Sequence, residues 1–187
     1  MLTVLSVQDA KEKILLSVPQ KMLAERVPLA SALGRIVANP VTSTLDLPPF
    51  ARSTMDGFAV RAEDTYGASE AMPALFRVTG EILMGQAPPT RVSTGTTLHI
   101  ATGGMLPEGS NAVVMVELTE FLDATTLAVY RAVAPGENII TTGEDFHVGQ
   151  EVLPEGHRVR AQDIGILASL GVTDVPVSRK PRVALLS

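Results

Sequence analysis

The chain of 187 residues contains no cysteine and no tryptophan. The first absence rules out disulfides, thiolate nucleophiles and cysteine-based zinc sites. Aromatic residues make up 4% of the sequence, so the core has to be built from Val, Leu, Ile, Ala and Met. Stacking platforms for nucleic-acid bases are not expected from so few rings. The net charge of −5 speaks against a polyanion-binding surface, because phosphate contact needs clustered Lys and Arg. No apolar run is long enough to cross a bilayer. The opening residues MLTVLSVQDAKEK do not combine a charged leader with an apolar run, so no signal peptide and a cytoplasmic location are expected.

What is present is an apolar fraction of 45%, that of a folded protein. Ser6 followed by Asp9 has the spacing of a helix-starting box, and Val7, Ala10, Ile14 and Leu15 fall near one helical face before Pro19 ends the pattern. A second short helix is expected at 29–33, closed by Gly34, and 35–41 reads as extended. From 74 to 134 the chain reads as strands broken by Gly and Pro, clearest at 75–78, 97–100, 112–116 and 127–133. Helical spacing returns at 161–170 with Gly171 as its stop, and a strand follows at 172–177. The last residues, 181–187, form the continuous apolar run of a strand buried on both faces, as at the start of a parallel α/β domain. The expected class is α+β, mainly β. A β-rich domain over 46–139 is inserted into a smaller mixed α/β domain made of 1–45 with 140–178, and 179–187 begins a truncated further domain.

Three turns place a glycine beside polar side chains. Asp56 precedes Gly57, and such a pair reads either as an Asx-turn or as an exposed carboxylate on a backbone-permissive turn. Thr102-Gly103-Gly104 follows an apolar run, where glycines either tighten a turn or open amides to an anion. Gly143-Glu144-Asp145 offers paired carboxylates, either solvated or able to hold Mg²⁺, which takes hard oxygen ligands. His99, His147 and His157 lack metal-ligand spacing and receive no role, and His99 reads as packed and hydrogen-bonded within a strand.

Together these stretches are more specific than any one alone. The segment Leu47-Pro48-Pro49-Phe50-Ala51-Arg52-Ser53-Thr54-Met55-Asp56-Gly57-Phe58-Ala59-Val60-Arg61 resembles the signature of the molybdopterin molybdenumtransferase family, which also includes the E domain of gephyrin. Ile100-Ala101-Thr102-Gly103 with Pro107-Glu108-Gly109, then Gly136-Glu137-Asn138-Ile139 with Gly143-Glu144-Asp145, resemble its next two motifs in the same order. Gly156, Arg160 to Gly171 and Pro181-Arg182-Val183-Ala184 resemble the passage into that family's molybdopterin-binding domain. The resemblance covers nearly the whole chain. Ile140, Thr141 and Thr142 stand where basic residues are usual, and Phe58 replaces a more usual Tyr.

The resemblance implies the N-terminal region of an elongated homodimeric enzyme. That enzyme inserts molybdate into adenylylated molybdopterin with release of AMP in a Mg²⁺-dependent step of molybdenum cofactor biosynthesis. By motif position it implies activity-linked roles for Asp56, Thr102 and Asp145, and substrate contacts for Ser53, Gly103 and Glu144. Asp56 and Asp145 are its candidates to hold Mg²⁺, directly or through water. The substrate-binding domain would follow Ser187, so this chain alone is expected to be inactive. The competing reading is a non-catalytic dimerisation or peptide-binding scaffold of the gephyrin type. Partners expected in neither case are nucleic acid and membrane.

Overall fold

The computed structural model describes residues 5–17 and 23–185. Pro19, Leu186 and Ser187, where a helix stop and the end of a strand were expected, lie outside the described residues. The chain divides into two compact units, one joining Met1–Ser43 to Glu151–Ser187 and the other the continuous stretch Thr44–Gln150. In chain order the elements are α1 (Val7–Ser17), β1 (Ala24–Pro28), β2 (Val41–Thr42), β3 (Arg52–Ser53), β4 (Gly57–Val60), β5 (Ala74–Ile82) and β6 (Thr96–Ile100). They continue with β7 (Ala112–Met115), β8 (Thr119–Phe121), β9 (Thr126–Val129), β10 (Ile139–Ile140), β11 (Glu151–Leu153), α2 (Ala161–Ser169) and β12 (Asp174–Ser178). The described protein is therefore mostly β, with two α-helices.

In the discontinuous unit, β12 is the spine. It pairs antiparallel with β1, from Ala24 opposite Ser178 to Pro28 opposite Asp174, and Val37 bridges Val177. Val175 and Val177 alternate along the strand and so reach one face, where they join Val37, Val41, Leu153, Val159 and Leu167 in a closed cluster. Each such side chain contributes about 1.5–3 kcal/mol on full burial. The start of α2 is fixed by Asp163, which is 3% exposed. Its carboxylate accepts the Arg160 amide at 2.8 Å and the His157 Nε2–H at 2.6 Å. Burial by itself would raise the Asp163 pKa, but these bonds and the Arg160 side chain override it and hold the group at about 2.

The continuous unit is organised by a six-stranded sheet in the order β7-β4-β6-β5-β9-β8. All four residues of β4 are buried. Phe58 and Val60 pack with Phe76, Val114, Leu127 and Val129, whereas Ala59 turns to Ile82, Leu98, Ile100 and Val113. A strand covered on both faces needs a continuous apolar run, which Gly-Phe-Ala-Val supplies. Gly57 is required by close approach: a Cβ there would lie 2.0 Å from the Val114 carbonyl oxygen. Strand direction then sets the site. β5 and β6 run parallel with Ile82 beside Ile100, and β4 runs antiparallel to both β6 and β7 with Gly57 opposite Ile100 and Met115. The start of β4 and the ends of β5, β6 and β7 consequently meet at one end of the sheet.

The strands at 74–82, 96–100 and 112–115, both helices and β12 correspond to expected elements. Ser6 donates its hydroxyl to Asp9 and accepts the Asp9 amide, the expected helix start. The second short helix is a single 3₁₀ turn at Leu29–Ser31. The expected strand at 127–133 stops at Val129, because the following chain leaves the ladder and the Val133 amide donates to the Thr65 hydroxyl. The expected terminal strand is not formed over 181–185, where Val183 and Leu185 are exposed. A doubly buried strand needs covering layers, and none of the described residues provides them.

Candidate functional site

The first polar turn places Asp56 just ahead of β4. Its Oδ1 accepts the Thr102 amide at 2.7 Å and the Thr102 hydroxyl at 2.9 Å. These two donors, the amide more than the hydroxyl, hold the Asp56 pKa below the ordinary carboxylate value, with partial desolvation opposing and His99 adding a smaller favourable field. Asp56 is thus an exposed, ionised carboxylate with one oxygen fixed. Its Oδ2 accepts no hydrogen bond among the described residues.

The turn that carries Thr102 is braced from below. Gly103, at φ 82°, reverses the chain after β6 in a conformation that side chains disfavour. Its amide donates to the Ser53 carbonyl at 2.8 Å, and the Ser53 amide donates to the Gly104 carbonyl at 3.0 Å. The Gly104 amide is taken by the Ala101 carbonyl at 2.9 Å. All three amides from Thr102 to Gly104 therefore go to protein acceptors and stiffen the turn instead of opening to an anion. Ser53 is buried, and its hydroxyl bonds the Met55 carbonyl and accepts the Met55 amide.

On its other edge the same segment meets the third motif. β3 pairs with β10, placing Ser53 opposite Ile139, and the Thr54 amide donates to the Asn138 carbonyl at 3.0 Å. Asn138, at φ 58°, anchors its own turn by donating Nδ2–H to the Val113 carbonyl at 2.8 Å. Asn138 carries no predicted role in the sequence reading; the signal was an Asn directly after Gly-Glu, since Asn tolerates the left-handed region. Beyond β10, Glu144 closes its own loop by accepting the Thr141 amide and hydroxyl at 2.9 and 3.2 Å. The Gly143 amide donates to the Pro48 carbonyl and the Asp145 amide to the Leu47 carbonyl, both at 2.9 Å. The Leu47–Pro48 peptide is cis.

Residues 47–56 thus thread between the Thr102 turn and the Gly143 turn, so the three motifs form one hydrogen-bonded neighbourhood. Within it Asp56, Thr102, Ser53 and Gly103 are directly linked. No hydrogen bond among the described residues joins Glu144 or Asp145 to Asp56 or Thr102. The Asp145 side chain is exposed and makes no hydrogen bond or ion pair among the described residues.

His99 is packed and hydrogen-bonded, as its strand position suggests: its Nδ1–H donates to Glu81 at 3.3 Å, and its ring meets Phe58 edge-on at 5.3 Å. Phe58 meets Phe121 in the same way at 5.8 Å, which accounts for a ring without a hydroxyl at that buried position. No group of three His, Asp or Glu side chains able to cage a metal exists among the described residues. No described helix is long and apolar enough to cross a membrane. The continuous unit holds thirteen Asp and Glu against five Arg and no Lys, so an anion approaching Asp56 meets a field of the same sign.

Comparison with known proteins agrees with these motifs. The family model described as "MoeA N-terminal region (domain I and II)" matches residues 5–171. Molybdopterin molybdenumtransferase 2 of Mycobacterium tuberculosis is 37% identical over 161 residues, covering 86% of this chain and 40% of that protein. Molybdopterin molybdenumtransferase of Bacillus subtilis is 38% identical over 166 residues, covering 87% of this chain and 39% of that protein. The crystal structure of a molybdopterin biosynthesis moeA protein from Pyrococcus horikoshii superposes with a TM-score of 0.84 at 39% identity, over 93% of this chain and 46% of that one. The chain therefore spans less than half the length of these relatives. With its fold, its ordered motifs and a family model matched from residue 5 to residue 171, the chain belongs to the MoeA N-terminal region family.

Proposed function

We propose that this chain is the N-terminal part of a molybdopterin molybdenumtransferase and supplies one wall of the site where molybdate enters adenylylated molybdopterin with release of AMP. The observation that carries the reading is Asp56, ionised and exposed at the end of the sheet, with one oxygen clamped by Thr102 and the other left over. Clamping one oxygen fixes the orientation of the second, which is what a positioning carboxylate requires. The residues 1–45 with 140–178 would carry the inserted β-rich part, 46–139, and 179–187 would lead into the substrate-binding domain. In a cytoplasmic homodimer the wall would face that domain of the partner subunit.

The acidic surroundings bear on the metal. Phosphate and molybdate would be repelled by bare carboxylates, and Mg²⁺ commonly takes one or two carboxylates and completes its shell with water and substrate phosphate. Asp56 Oδ2 and the unengaged Asp145 carboxylate suit that demand as hard oxygen donors; they are too few to hold the ion without substrate. When bound, Mg²⁺ would neutralise phosphate charge. The chain's own share is narrower: Thr102 keeps Asp56 ionised and oriented, and Ser53 and Gly103 hold the turn that carries Thr102. Glu144 keeps the loop bearing Asp145 in shape.

The test is AMP release from adenylylated molybdopterin with molybdate and Mg²⁺, using the complete protein and, separately, this 187-residue chain. Release by the complete protein alone is expected. Release by neither folded protein overturns the transferase reading, and release by the short chain places the catalytic machinery elsewhere than proposed.

A further inference from the structure

The segment that threads between the Thr102 turn and the Gly143 turn carries a single cation, Arg52, four residues before Asp56. Its guanidinium makes no hydrogen bond or ion pair among the described residues. β3 sets its direction. Ser53 is 2% exposed, and neighbours in a strand face opposite ways, so the half-buried Arg52 projects from the face opposite Ser53. Two segments flank it in register: Arg52 bridges Met105 on one side and lies opposite Ile140 on the other. Neither brings a charge, and Thr141 and Thr142 after Ile140 are neutral as well. Other arginines of the continuous unit are placed or engaged elsewhere. Arg61 follows β4, at the other end of that strand from Asp56, and donates to the Thr94 hydroxyl at 2.6 Å, while Arg131 pairs with Glu137 at 3.4 Å. Partial burial costs a charge some of its hydration, which an ion pair ordinarily offsets. At Arg52 that pair is missing, although the unit holds thirteen acids.

From this arrangement we infer that Arg52 is the substrate-binding residue for molybdate, whose tetrahedral oxyanion it takes through parallel N–H···O bonds. The inference rests on the transferase reading for the identity of the anion. A guanidinium presents its donors as a planar fork that matches two oxygens of one oxyanion. Molybdate is the ligand that depends most on such a group. Adenylylated molybdopterin carries rings as well as phosphates and so has other handles, whereas molybdate has only its charge and its oxygens. Against the carboxylates of this unit it is repelled, and Arg52 is the countercharge that the segment 47–56 places beside them. The β3–β10 register also permits a transplant. Side chains directly opposite in an antiparallel pair have Cβ atoms about 4.5–5.5 Å apart, so a cation moved from 52 to 140 stays within reach of the same anion.

The experiment follows AMP release by the complete protein with molybdate varied at saturating adenylylated molybdopterin and Mg²⁺, then with the adenylylated substrate varied at saturating molybdate. Equilibrium dialysis of molybdate alone reads the contact without turnover. Arg52→Ala should raise the molybdate KM and dissociation constant about tenfold or more, the loss expected of a charge-assisted hydrogen bond, with kcat and the other KM held. Adding Ile140→Arg to Arg52→Ala should restore most of the affinity, which a purely structural role of Arg52 would not allow. Arg61→Ala controls for net charge and should change neither constant. An unchanged molybdate KM in folded, active Arg52→Ala overturns the inference. So does a rise confined to the KM of the adenylylated substrate, or an equal rise in Arg61→Ala. Affinity that Ile140→Arg fails to restore, with thermal unfolding of Arg52→Ala lowered, reduces Arg52 to a structural residue and overturns it too. Molybdate binding that depends on Arg52 without any AMP release sinks the transferase reading and leaves the oxyanion contact standing.

Discussion

Gly57→Ala adds one methyl group where the fold has no room for it. The added Cβ would lie 2.0 Å from the Val114 carbonyl oxygen, 2.9 Å from its carbon and 3.1 Å from the Met115 Cα. An ordinary carbon–oxygen contact is near 3.2 Å, so β4 has to separate from β7 by about 1 Å at this point. All three obstructing atoms are backbone, and no rotamer change can relieve them. Overpacking of this kind typically costs about 1–3 kcal/mol, and stretching one or two ladder bonds past hydrogen-bond range adds about 1 kcal/mol each. The expected loss is therefore about 2–5 kcal/mol, a large part of a stability of about 5–15 kcal/mol. Urea unfolding followed by circular dichroism reads it directly. Gly67→Ala is the control: Gly67 has φ 85° but nothing within 4 Å, so only backbone strain of about 1 kcal/mol is expected. A Gly57→Ala protein within 1 kcal/mol of wild type would refute the argument from close approach.

Asp163→Ala should cost about 3 kcal/mol at neutral pH, combining about 1 kcal/mol for the helix cap with about 2 kcal/mol for the charge-assisted bond from His157. Because the folded pKa of about 2 lies below the ordinary 3.8, this contribution is complete above about pH 4 and is lost as pH falls through 2. Unfolding curves of the two proteins should converge over that window; a pH-independent gap would contradict the assignment. Thr102→Val removes the hydroxyl but keeps the amide, the stronger of the two donors to Asp56. The Asp56 pKa should rise and still stay below the ordinary value, and a carboxyl titration by NMR that finds no rise would dismiss the Thr102 clamp.

Much of the fold was legible because burial imposes regular spacing. The strands at 75–78, 97–100 and 112–116 sit in the six-stranded sheet, and their apolar runs reflect its burial. β1 was not foreseen, since Ala-Glu-Arg-Val-Pro has no apolar pattern; its partner β12 makes it a strand, and Arg35 joins the two by bonding Glu25 and the Ser178 carbonyl. β3, β10 and β11 are two or three residues long, too short for any period to register. The site shows the same division. Asp56 and Thr102 stood out as polar residues beside Gly57 and Gly103, yet the bond between residues 46 apart belongs to the antiparallel pairing of β4 and β6.

The central claim is that Asp56, clamped by Thr102, positions the reacting groups. Asp56→Asn keeps the size and can still accept from Thr102 while removing the charge. In the complete protein, AMP release from adenylylated molybdopterin with molybdate and Mg²⁺ should fall on the order of 100-fold or more, with unfolding unchanged. Release at the wild-type rate by a correctly folded Asp56→Asn protein would contradict the account.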